Sequence, residues 1–381
     1  MQQNEKSTLP KFITVQVIPK HLKESAIQTD LEETQQLITT FGGTVVEKVV
    51  QRLEHPDPNS YVGSGKLEEI KHLCNTEAIS VVVINDLVKS SQLFRIEKEL
   101  WSVSTKIMVW DRIDLILNIF DQHATTQEAK LQIKLARATH MGPRIYGLGK
   151  TELSRQGGGV GTRGKGETNI EFERRQIKVD QQKIKKELKK LLKQKKNRLR
   201  KRTEMGIGPV ALVGYTSAGK TTLFNALTGK EKEMHKGLFT TLDTVVGKLK
   251  SPQFEQPLLI SDTIGFINNL PPVLIDSFKS TLLESLEAKL LLHVIDANDP
   301  RLLEKVAVVE TILENLSAAQ PMIVVLNKVD LIDDTALTAI QTELTEFYSK
   351  KERTLKDVIF ISARTGKAVR TLIEKIEAFF T

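Results

Sequence analysis

The sequence predicts an α/β protein of two parts that are joined by long helices. Short β-branched runs alternate with helical patterns over residues 1–110, and the same alternation returns over residues 206–381. Between them, residues 111–205 carry apolar residues at helical spacing. A chain of 381 residues is also too long for one ordinary hydrophobic core. We therefore expect a smaller parallel α/β subdomain, a long helical, coiled-coil-like arm and a doubly wound α/β domain, in that order.

The N-terminal subdomain is predicted from three strand candidates and three helical patterns. Each strand candidate is a short run of mostly β-branched and apolar residues. Strand and helix candidates alternate along the chain, which is typical of parallel β-α-β units. The strand candidates are residues 12–18, 79–84 and 106–110, and the helical patterns are residues 27–41, 66–76 and 90–100.

The arm is predicted to be two helices with a glycine-rich tip. From Arg112 onward, apolar residues recur at helical spacing until Gly142-Pro143 ends the run, which predicts one or two long helices. Residues 154–168 hold six glycines in fifteen positions, so neither helix nor strand is expected there. Residues 169–202 contain no glycine or proline and predict a further long helix that pairs with the first part of the arm.

One segment carries most of the positive charge. The chain has a formal net charge of +8 and a pI of about 9.2. Residues 174–202 contain fifteen Lys and Arg side chains against two acids, so this segment alone is +13 and the rest of the chain is acidic. Such a local excess of cations predicts a polyanionic partner, and a merely solvated helix face is the alternative.

Composition also excludes several classes of protein. Cys74 is the single cysteine, so the chain can form neither an intramolecular disulfide nor a cysteine-based zinc site, which is typical of a reducing compartment. No run approaches the roughly 18 apolar residues that span a bilayer, and no lipidation motif or amphipathic anchor is seen. We expect a cytoplasmic monomer without a stable membrane anchor. His123, His140 and His293 show no metal-ligand spacing with carboxylates, so packing or surface roles are expected.

A phosphate-binding loop follows the first strand candidate of the C-terminal domain. After the run VALVG, residues 214–221 match the pattern G-x-x-x-x-G-K-[ST], and a helical pattern follows. The glycines let backbone N–H groups surround phosphates, the Lys220 ammonium would reach the β- and γ-phosphate oxygens, and the Thr221 hydroxyl would bind Mg²⁺. Taken alone, the pattern leaves a simple glycine-rich turn as the alternative. The residues expected to line the nucleotide here are Gly214, Tyr215, Thr216, Ser217, Ala218, Gly219, Lys220, Thr221 and Thr222.

Three further motifs follow three later strand candidates. Asp262-Thr-Ile-Gly265 would hold Mg²⁺ through water with its carboxylate and meet the γ-phosphate with the glycine N–H. The Asp330 carboxylate can accept hydrogen bonds from the N1–H and 2-amino groups that guanine has and adenine lacks, and the Ala363 N–H would bind guanine O6. The base-side residues are Asn327, Lys328, Asp330, Ser362, Ala363 and Arg364. Four such motifs in this order exclude a simple glycine-rich turn as the alternative. Together they resemble the translation-factor-like class of GTPases.

The resemblance to that class adds expectations about hydrolysis. Thr241, with Thr240 as the competing choice, would bring its hydroxyl to Mg²⁺ and its backbone to the γ-phosphate. Many such GTPases carry a glutamine after the motif glycine to orient water, but Phe266 stands here. An apolar side chain cannot orient water, so we expect slow intrinsic hydrolysis and stimulation by a partner; core packing is the alternative role. The expected catalytic residues are Lys220, Thr241, Asp262 and Gly265, and the expected Mg²⁺ ligands are Thr221, Thr241 and Asp262.

Four segments of the chain are similar to the HflX family of GTPases. They are YVGSGKLEEI at 61–70, the helical residues 111–145, LSRQGGGVGTRGKGET at 153–168 and DTIGFI at 262–267. The resemblance implies GTP and GDP as ligands, binding to the large ribosomal subunit and its rRNA, and splitting of stalled or idle ribosomes. The alternative is a GTP-gated RNA-binding factor for large-subunit assembly or storage that splits nothing. The residues expected to meet rRNA are Arg155, Arg163, Lys165, Arg174 and Arg175.

Departures from the family pattern bear on the cofactors. The family phosphate loop has Asn where this chain has Ser217, and that Asn accompanies potassium-stimulated hydrolysis in related GTPases, so a dependence on K⁺ stays open. Thr221 replaces a serine, which keeps the hydroxyl. Family members have also been suggested to bind ATP through the N-terminal domain. Here Gly63-Ser-Gly65-Lys66 lacks the full phosphate-loop spacing, and a helix start is the simpler interpretation.

Overall fold

The structure is a computed structural model of the 381-residue chain. It describes residues 9–21, 24–140, 163–204, 209–230, 238, 245–249, 258–267, 271, 274–275, 278, 287–351 and 353–381. The chain divides into two compact units, one of residues 1–122 and 131–187 and the other of residues 123–130 and 188–381. The three-part division at residues 110 and 205 stays a prediction. No helix in the described part of the chain is both long and apolar enough to cross a membrane.

The N-terminal unit contains a four-stranded parallel sheet. Its strands are β1 (Lys11–Ile18), β2 (Thr44–Arg52), β3 (Val81–Ile84) and β4 (Met108–Asp111), in the order β2-β1-β3-β4. Three helices connect them: α1 (Glu24–Phe41), α2 (Ser64–Thr76) and α3 (Ser90–Leu100). The predicted parallel α/β arrangement is confirmed. The central strands β1 and β3 are buried almost throughout, which is why they read as continuous apolar runs.

Strand β2 was not among the strand candidates. It pairs only with β1 and lies at the edge of the sheet, and Val49 is its one fully buried residue. Because Glu47 and Lys48 interrupt its apolar residues, the segment lacks both the continuous run and the strict alternation that mark a strand. This strand forms because it pairs along its whole length with the buried strand β1, and not because of its own hydrophobic pattern.

Two helices follow β4, and a third, much longer helix comes later in the chain. Helices α4 (Arg112–His123) and α5 (Gln127–His140) replace the predicted one or two long helices, with a break of three residues between them. Helix α6 (Arg163–Glu204) is 42 residues long. The Gln181 amide of α6 donates to the Ala138 carbonyl of α5 at 3.0 Å, which pairs these two helices locally.

The expectation that residues 154–168 hold no helix was wrong for part of that segment. Helix α6 begins at Arg163 and so includes Gly164 and Gly166, whereas the sequence placed its start at residue 169. Each glycine costs a helix about 1 kcal/mol relative to alanine. Extending an established helix adds one hydrogen bond for each residue that is fixed, so the end of a long helix tolerates two of them. The rest of the glycine-rich segment, residues 154–162, lies outside the described residues.

The C-terminal unit contains a six-stranded sheet. Its strands are β5 (Pro209–Val213), β6 (Val245–Lys248), β7 (Leu259–Asp262), β8 (Leu290–Asp296), β9 (Met322–Asn327) and β10 (Leu355–Phe360), in the order β10-β9-β8-β5-β7-β6. All pairs are parallel except β6 with β7. The described helices are α7 (Lys220–Thr228), α8 (Leu302–Asn315), α9 (Asp334–Ser349) and α10 (Val369–Phe380).

This sheet confirms the predicted doubly wound domain and positions the site. Leu212, Leu292 and Val325 on its central strands have no exposed surface, and helix residues such as Leu223 and Leu372 pack in the same core. Strand order reverses around β5, so the carboxyl ends of β5, β7, β8 and β9 and the loops after them meet at one edge. Three of the predicted motifs lie in or directly after these strand ends, and the fourth, Ser362-Ala363-Arg364, follows β10, which is parallel to β9.

Candidate nucleotide-binding site

The loop between β5 and α7 has a backbone that only certain residues can adopt. Gly214 has φ +149°, and a Cβ atom there would lie 2.3 Å from the Val294 carbonyl oxygen. Gly219 has φ +92°, and its Cβ would lie 2.2 Å from Asn327 Nδ2. Both glycines are therefore required by close approach as well as by conformation. Ser217, at the tip, is exposed and has φ +62°.

Lys220 lies inside this loop. Its Nζ donates hydrogen bonds to the Gly214 carbonyl at 3.0 Å and the Tyr215 carbonyl at 2.8 Å, and the residue is 7% exposed. Burial lowers the pKa of the Lys220 ammonium to about 8, and the nearby Asp262 carboxylate acts in the opposite direction. A desolvated ammonium that two backbone carbonyls hold in place is suited to binding phosphate oxygens. Their negative charge would compensate for the water contacts that the ammonium has lost.

Two of the predicted Mg²⁺ ligands are in contact. Thr221, in the first turn of α7, donates its hydroxyl hydrogen bond to Asp262 Oδ2 at 2.9 Å. Asp262 is fully buried at the end of β7, and the Thr263 hydroxyl fixes that strand end by donating to the Leu212 carbonyl at 2.6 Å. Hydroxyl and carboxylate oxygens are the hard ligands that Mg²⁺ prefers. The residues present therefore fit a Mg²⁺ ion, which Thr221 and Asp262 would hold. Thr222 is half-buried in the same helical turn.

The segment after β7 lies against the phosphate loop. A Cβ atom on Gly265 would lie 2.8 Å from Thr216 Cγ2 and 3.0 Å from Lys220 Nζ, so the glycine lets the backbone approach the ammonium. The next residue, Phe266, forms a parallel bridge with Tyr215. In this bridge the Thr216 N–H donates to the Phe266 carbonyl at 2.7 Å and the Phe266 N–H donates to the Gly214 carbonyl at 3.2 Å. The Phe266 side chain is 1% exposed, so core packing, the alternative role, is the one that the structure shows.

Asn327 connects three of the motifs. Its Nδ2 donates to the Ala218 carbonyl of the phosphate loop at 2.9 Å, and its Oδ1 accepts from the Ala363 N–H at 2.9 Å. The same Ala363 N–H is the group expected to bind guanine O6, so base binding there requires this donor to be shared with Asn327. Asn327 is 2% exposed, which assigns it to holding the loops in place.

The other base-side residues form an ionic cluster. Asp330 Oδ2 accepts from Arg364 at 2.5 Å, and hydrogen bonds from Ser362 and then Arg364 hold the pKa of the Asp330 carboxyl below its usual value. The carboxylate is therefore an ionised acceptor, as recognition of two guanine N–H groups requires. Lys328 has φ +68°, and its Nζ lies 2.5 Å from Asp296 Oδ2, which fixes the loop after β9 to the end of β8.

A buried polar network beneath the phosphate loop was not foreseen. His293 Nδ1 lies 2.8 Å from the Tyr348 hydroxyl, which donates to Glu310 Oε1 at 3.3 Å, and Arg353 Nε donates to Glu310 Oε2 at 3.0 Å. Burial first, then the Arg353 and Lys220 charges, lower the pKa of His293 to about 3. His293 also lines a small pocket together with Tyr215 and Thr216 of the loop. Its expected packing role fits this neutral, buried ring.

The glycines at the start of α2 form an ordinary helix start. Gly63 precedes the helix with an extended backbone, and its N–H donates to Gln51 Oε1 at 2.9 Å. Lys66 Nζ lies 2.7 Å from Glu69 Oε2, one turn further along the same helix. These contacts are local to the turn, and binding of ATP there stays a prediction.

His140 lies close to two carboxylates, although the sequence shows no metal-ligand spacing between them. Its Nε2 lies 3.0 Å from Asp111 Oδ2 and 3.7 Å from Asp114 Oδ1. These residues are 29 and 26 positions away in sequence and meet only because α4 and α5 turn back on each other, so no short spacing could show the cluster.

Several predicted site residues cannot be placed. Thr240, Thr241 and Arg155 lie outside the described residues. Arg163, Lys165 and Arg174 are in α6, but their side chains are not described, whereas Arg175 is exposed on the same helix. The roles of these residues stay predictions.

A phosphate loop joined to an Asp-x-x-Gly strand end and an Asn-Lys-x-Asp strand end defines the class of P-loop GTPases. Proteins described as "GTPase HflX" are similar to the chain over most of its length. The chain is 41% identical to that of Caldanaerobacter subterraneus subsp. tengcongensis over 304 residues, which are 80% of this chain and 69% of the relative. It is 34% identical to that of Escherichia coli over 348 residues, 91% of this chain and 78% of the relative. The chain belongs to the GTPase HflX family.

Family models and a solved structure agree with this assignment. Residues 28–121 match the model "GTP-binding GTPase N-terminal", residues 123–202 the "GTP-binding GTPase Middle Region" and residues 209–328 the "50S ribosome-binding GTPase". A crystal structure of the protein SsGBP in complex with GDP is similar, with a TM-score of 0.53 and 29% identity over 97% of this chain and 98% of that one. The predicted fold, the family resemblance and, at the level of the family, the GTP hydrolase class are confirmed.

Proposed function

We propose that this protein is a GTP hydrolase that binds the large ribosomal subunit and couples GTP binding and hydrolysis to dissociation or rescue of ribosomes. The observation that carries the proposal is the combination of a phosphate loop with a long, strongly basic helix. The family model "50S ribosome-binding GTPase" matched by residues 209–328 supports the same partner. RNA of the ribosome is a polyanion, and its phosphates provide the partner that the helix requires.

The cations of α6 are arranged for contact with phosphates. Most are exposed, and several follow one another at four-residue spacing, which places them about 6 Å apart along the helix axis. Lys195 differs, because it lies 3.8 Å from Glu128 of α5 and turns inward. The exposed cations of described side chains are Arg175, Lys178, Lys183, Lys185, Lys186, Lys189, Lys190, Lys193, Lys196, Arg198, Arg200 and Lys201.

Hydrolysis is slow until the ribosome acts on the site. Phe266 is apolar and buried, so position 266 supplies no glutamine-like group for the attacking water. Lys220, Thr221 and Asp262 bind the phosphates and Mg²⁺, and the segment containing Thr241 completes the metal shell when GTP is present. The GTP state then favours the ribosome-binding conformation, and hydrolysis permits release.

The test measures light scattering of intact ribosomes mixed with the full chain. With GTP, scattering falls as subunits separate; with GDP it does not. Replacing Lys189, Lys193 and Lys196 with Glu abolishes the fall, because each removes a phosphate contact. A matched variant with Lys98, Lys106 and Lys356 changed to Glu carries the same net charge and keeps the activity, since these exposed lysines lie elsewhere.

A second measurement distinguishes a ribosome-splitting factor from a factor for assembly or storage of the large subunit. If the chain sediments with free large subunits in a GTP-dependent way but never lowers the scattering of intact ribosomes, the assembly or storage factor replaces the splitting factor. Ribosome release from a complex with a non-hydrolysable GTP analogue, as fast as from GTP, refutes the role given to hydrolysis.

A further inference from the structure

A compact group of metal-ligating side chains lies in the N-terminal unit, far in sequence from the phosphate loop. Asp111 ends β4, Asp114 is in the first turn of α4, and His140 ends α5. Their side chains are 0%, 5% and 13% exposed. One ligand atom from each lies within 4.8 Å of the others. Two carboxylates and one imidazole thus converge on one buried point.

Helix capping explains part of this arrangement. Asp111 Oδ1 accepts from the Asp114 N–H at 2.9 Å, and Asp114 Oδ2 accepts from the Asp111 N–H at 3.3 Å, which is a reciprocal cap at the start of α4. These bonds use one oxygen of each carboxylate. The second oxygens, Asp111 Oδ2 and Asp114 Oδ1, face His140 Nε2 at 3.0 and 3.7 Å.

Asp111 Oδ2 is the atom that capping leaves unexplained. It has almost no exposed surface and accepts no well-aligned hydrogen bond from the described residues, although His140 Nε2 lies 3.0 Å from it and 3.1 Å from Oδ1. A buried carboxylate oxygen without a donor is costly. Arg112, the adjacent cation in sequence, does not serve it, since its guanidinium lies 2.5 Å from Glu33 Oε1.

A metal ion accounts for the distances between these ligand atoms. Zinc binds imidazole nitrogen and carboxylate oxygen at about 2.0–2.2 Å, so two ligand atoms of a tetrahedral ion lie roughly 3.3 Å apart. The two Nε2 to oxygen distances, 3.0 and 3.7 Å, bracket that value.

We propose that Asp111, Asp114 and His140 bind a divalent transition-metal ion of zinc-like chemistry, with water in a fourth position. The imidazole nitrogen selects against Mg²⁺ and Ca²⁺, which prefer oxygen ligands only. The ion holds the start of α4 against the end of α5 and so fixes the helical connection that follows β4. This site is independent of the proposed action on ribosomes.

The test titrates chelator-treated full-length protein with Zn²⁺ by calorimetry, with excess Mg²⁺ and GDP present to occupy the nucleotide site. We expect one Zn²⁺ per chain. Asp111→Asn keeps the helix cap, because Asn caps as well as Asp, and His140→Gln removes the nitrogen ligand. Each variant weakens Zn²⁺ binding at least ~100-fold, about 2.7 kcal/mol. His72→Gln, which removes an exposed histidine of α2, leaves it unchanged.

X-ray absorption at the zinc edge of the loaded wild-type chain decides the question without any variant. A shell of one imidazole with oxygen ligands supports the site. No saturable Zn²⁺ binding, a shell without imidazole, or equal Zn²⁺ affinity in wild type and in both folded variants overturns it.

Discussion

The Asn327 side chain and the Ala218 carbonyl are joined by a 2.9 Å hydrogen bond across 109 residues of chain, and the other end of the same amide accepts from the Ala363 N–H. One buried side chain therefore fixes the phosphate loop and the last base-side loop to the end of β9. In the Asn-Lys-x-Asp motif, Asn327 thus has a structural role, and Asp330 is the residue that we propose reads the base.

We expect Asn327→Ala to weaken GDP and GTP binding equally, by about 100-fold or about 2.7 kcal/mol. The variant loses two buried hydrogen bonds and leaves the Ala218 carbonyl and Ala363 N–H without their partner, so unfolding free energy falls by about 2–4 kcal/mol. Fluorescent-nucleotide titration and urea unfolding measure the two effects. Unchanged affinity would show that the loops hold their positions without this amide.

Asp330→Asn should change the preferred base. The ionised carboxylate accepts two N–H groups of guanine, whereas an amide presents an N–H donor that suits the second carbonyl of xanthine. We expect GTP affinity to fall at least ~100-fold while xanthosine triphosphate gains what GTP loses. Competition of both nucleotides against a labelled GDP checks this, and Asp334→Asn, on the exposed start of α9, is the matched control. Equal loss for both nucleotides would contradict the assignment of Asp330 to the base.

Features formed by residues close together in the chain were predictable from the sequence, whereas features that depend on distant segments were missed. The phosphate loop was predictable because Gly214, Lys220 and Thr221 act within eight residues. Strand β2 was missed because an edge strand with Glu47 and Lys48 inside it takes its form from β1. The association of His140 with Asp111 spans 29 residues and depends on how two helices turn, which no local pattern encodes.

Phe266 shows a second limit of the sequence. The sequence predicts that the residue after the motif glycine does not orient water, but its burial and its bridge to Tyr215 depend on the packing of the phosphate loop. Likewise, the Ala363 N–H was assigned to the base from its position alone, and only the folded structure shows that it donates a hydrogen bond to Asn327 Oδ1. Position along a strand indicates which groups meet, while their pairing is decided in three dimensions.

Phe266→Gln should not restore intrinsic hydrolysis. The side chain is 1% exposed, so an amide there enters the core and loses its hydration without gaining a place beside the γ-phosphate. We expect unfolding free energy to fall by about 3 kcal/mol and the basal rate of phosphate release to stay unchanged. Phe266→Leu keeps an apolar core and separates the two effects. A faster basal rate in the glutamine variant would mean that this segment leaves the core when GTP binds.

We expect Ser217 to make hydrolysis insensitive to potassium. The exposed serine presents one hydroxyl at the tip of the loop, where an asparagine would present a longer carbonyl that can bind a monovalent cation. We expect equal hydrolysis rates in K⁺ and Na⁺ for the natural chain and stimulation by K⁺ alone after Ser217→Asn. The φ of +62° favours the substitution, because Asn adopts this conformation more readily than Ser. K⁺ stimulation of the natural chain would show that the hydroxyl suffices.

The buried His293 ring makes stability depend on pH. Its pKa is lowered from 6.5 to about 3, so between these values the unfolded chain binds a proton that the folded chain does not. The contribution of the neutral ring to the free energy of unfolding is fully present above pH 6.5. Between pH 6.5 and about pH 3 it decreases by about 1.4 kcal/mol per pH unit. Urea unfolding at pH 7 and pH 5 should therefore show a smaller pH difference for His293→Phe than for the natural chain, because phenylalanine takes up no proton. His72→Gln removes an exposed histidine and should leave that difference as it is. Equal pH dependence in the natural chain and the His293 variant would mean that His293 does not carry the effect.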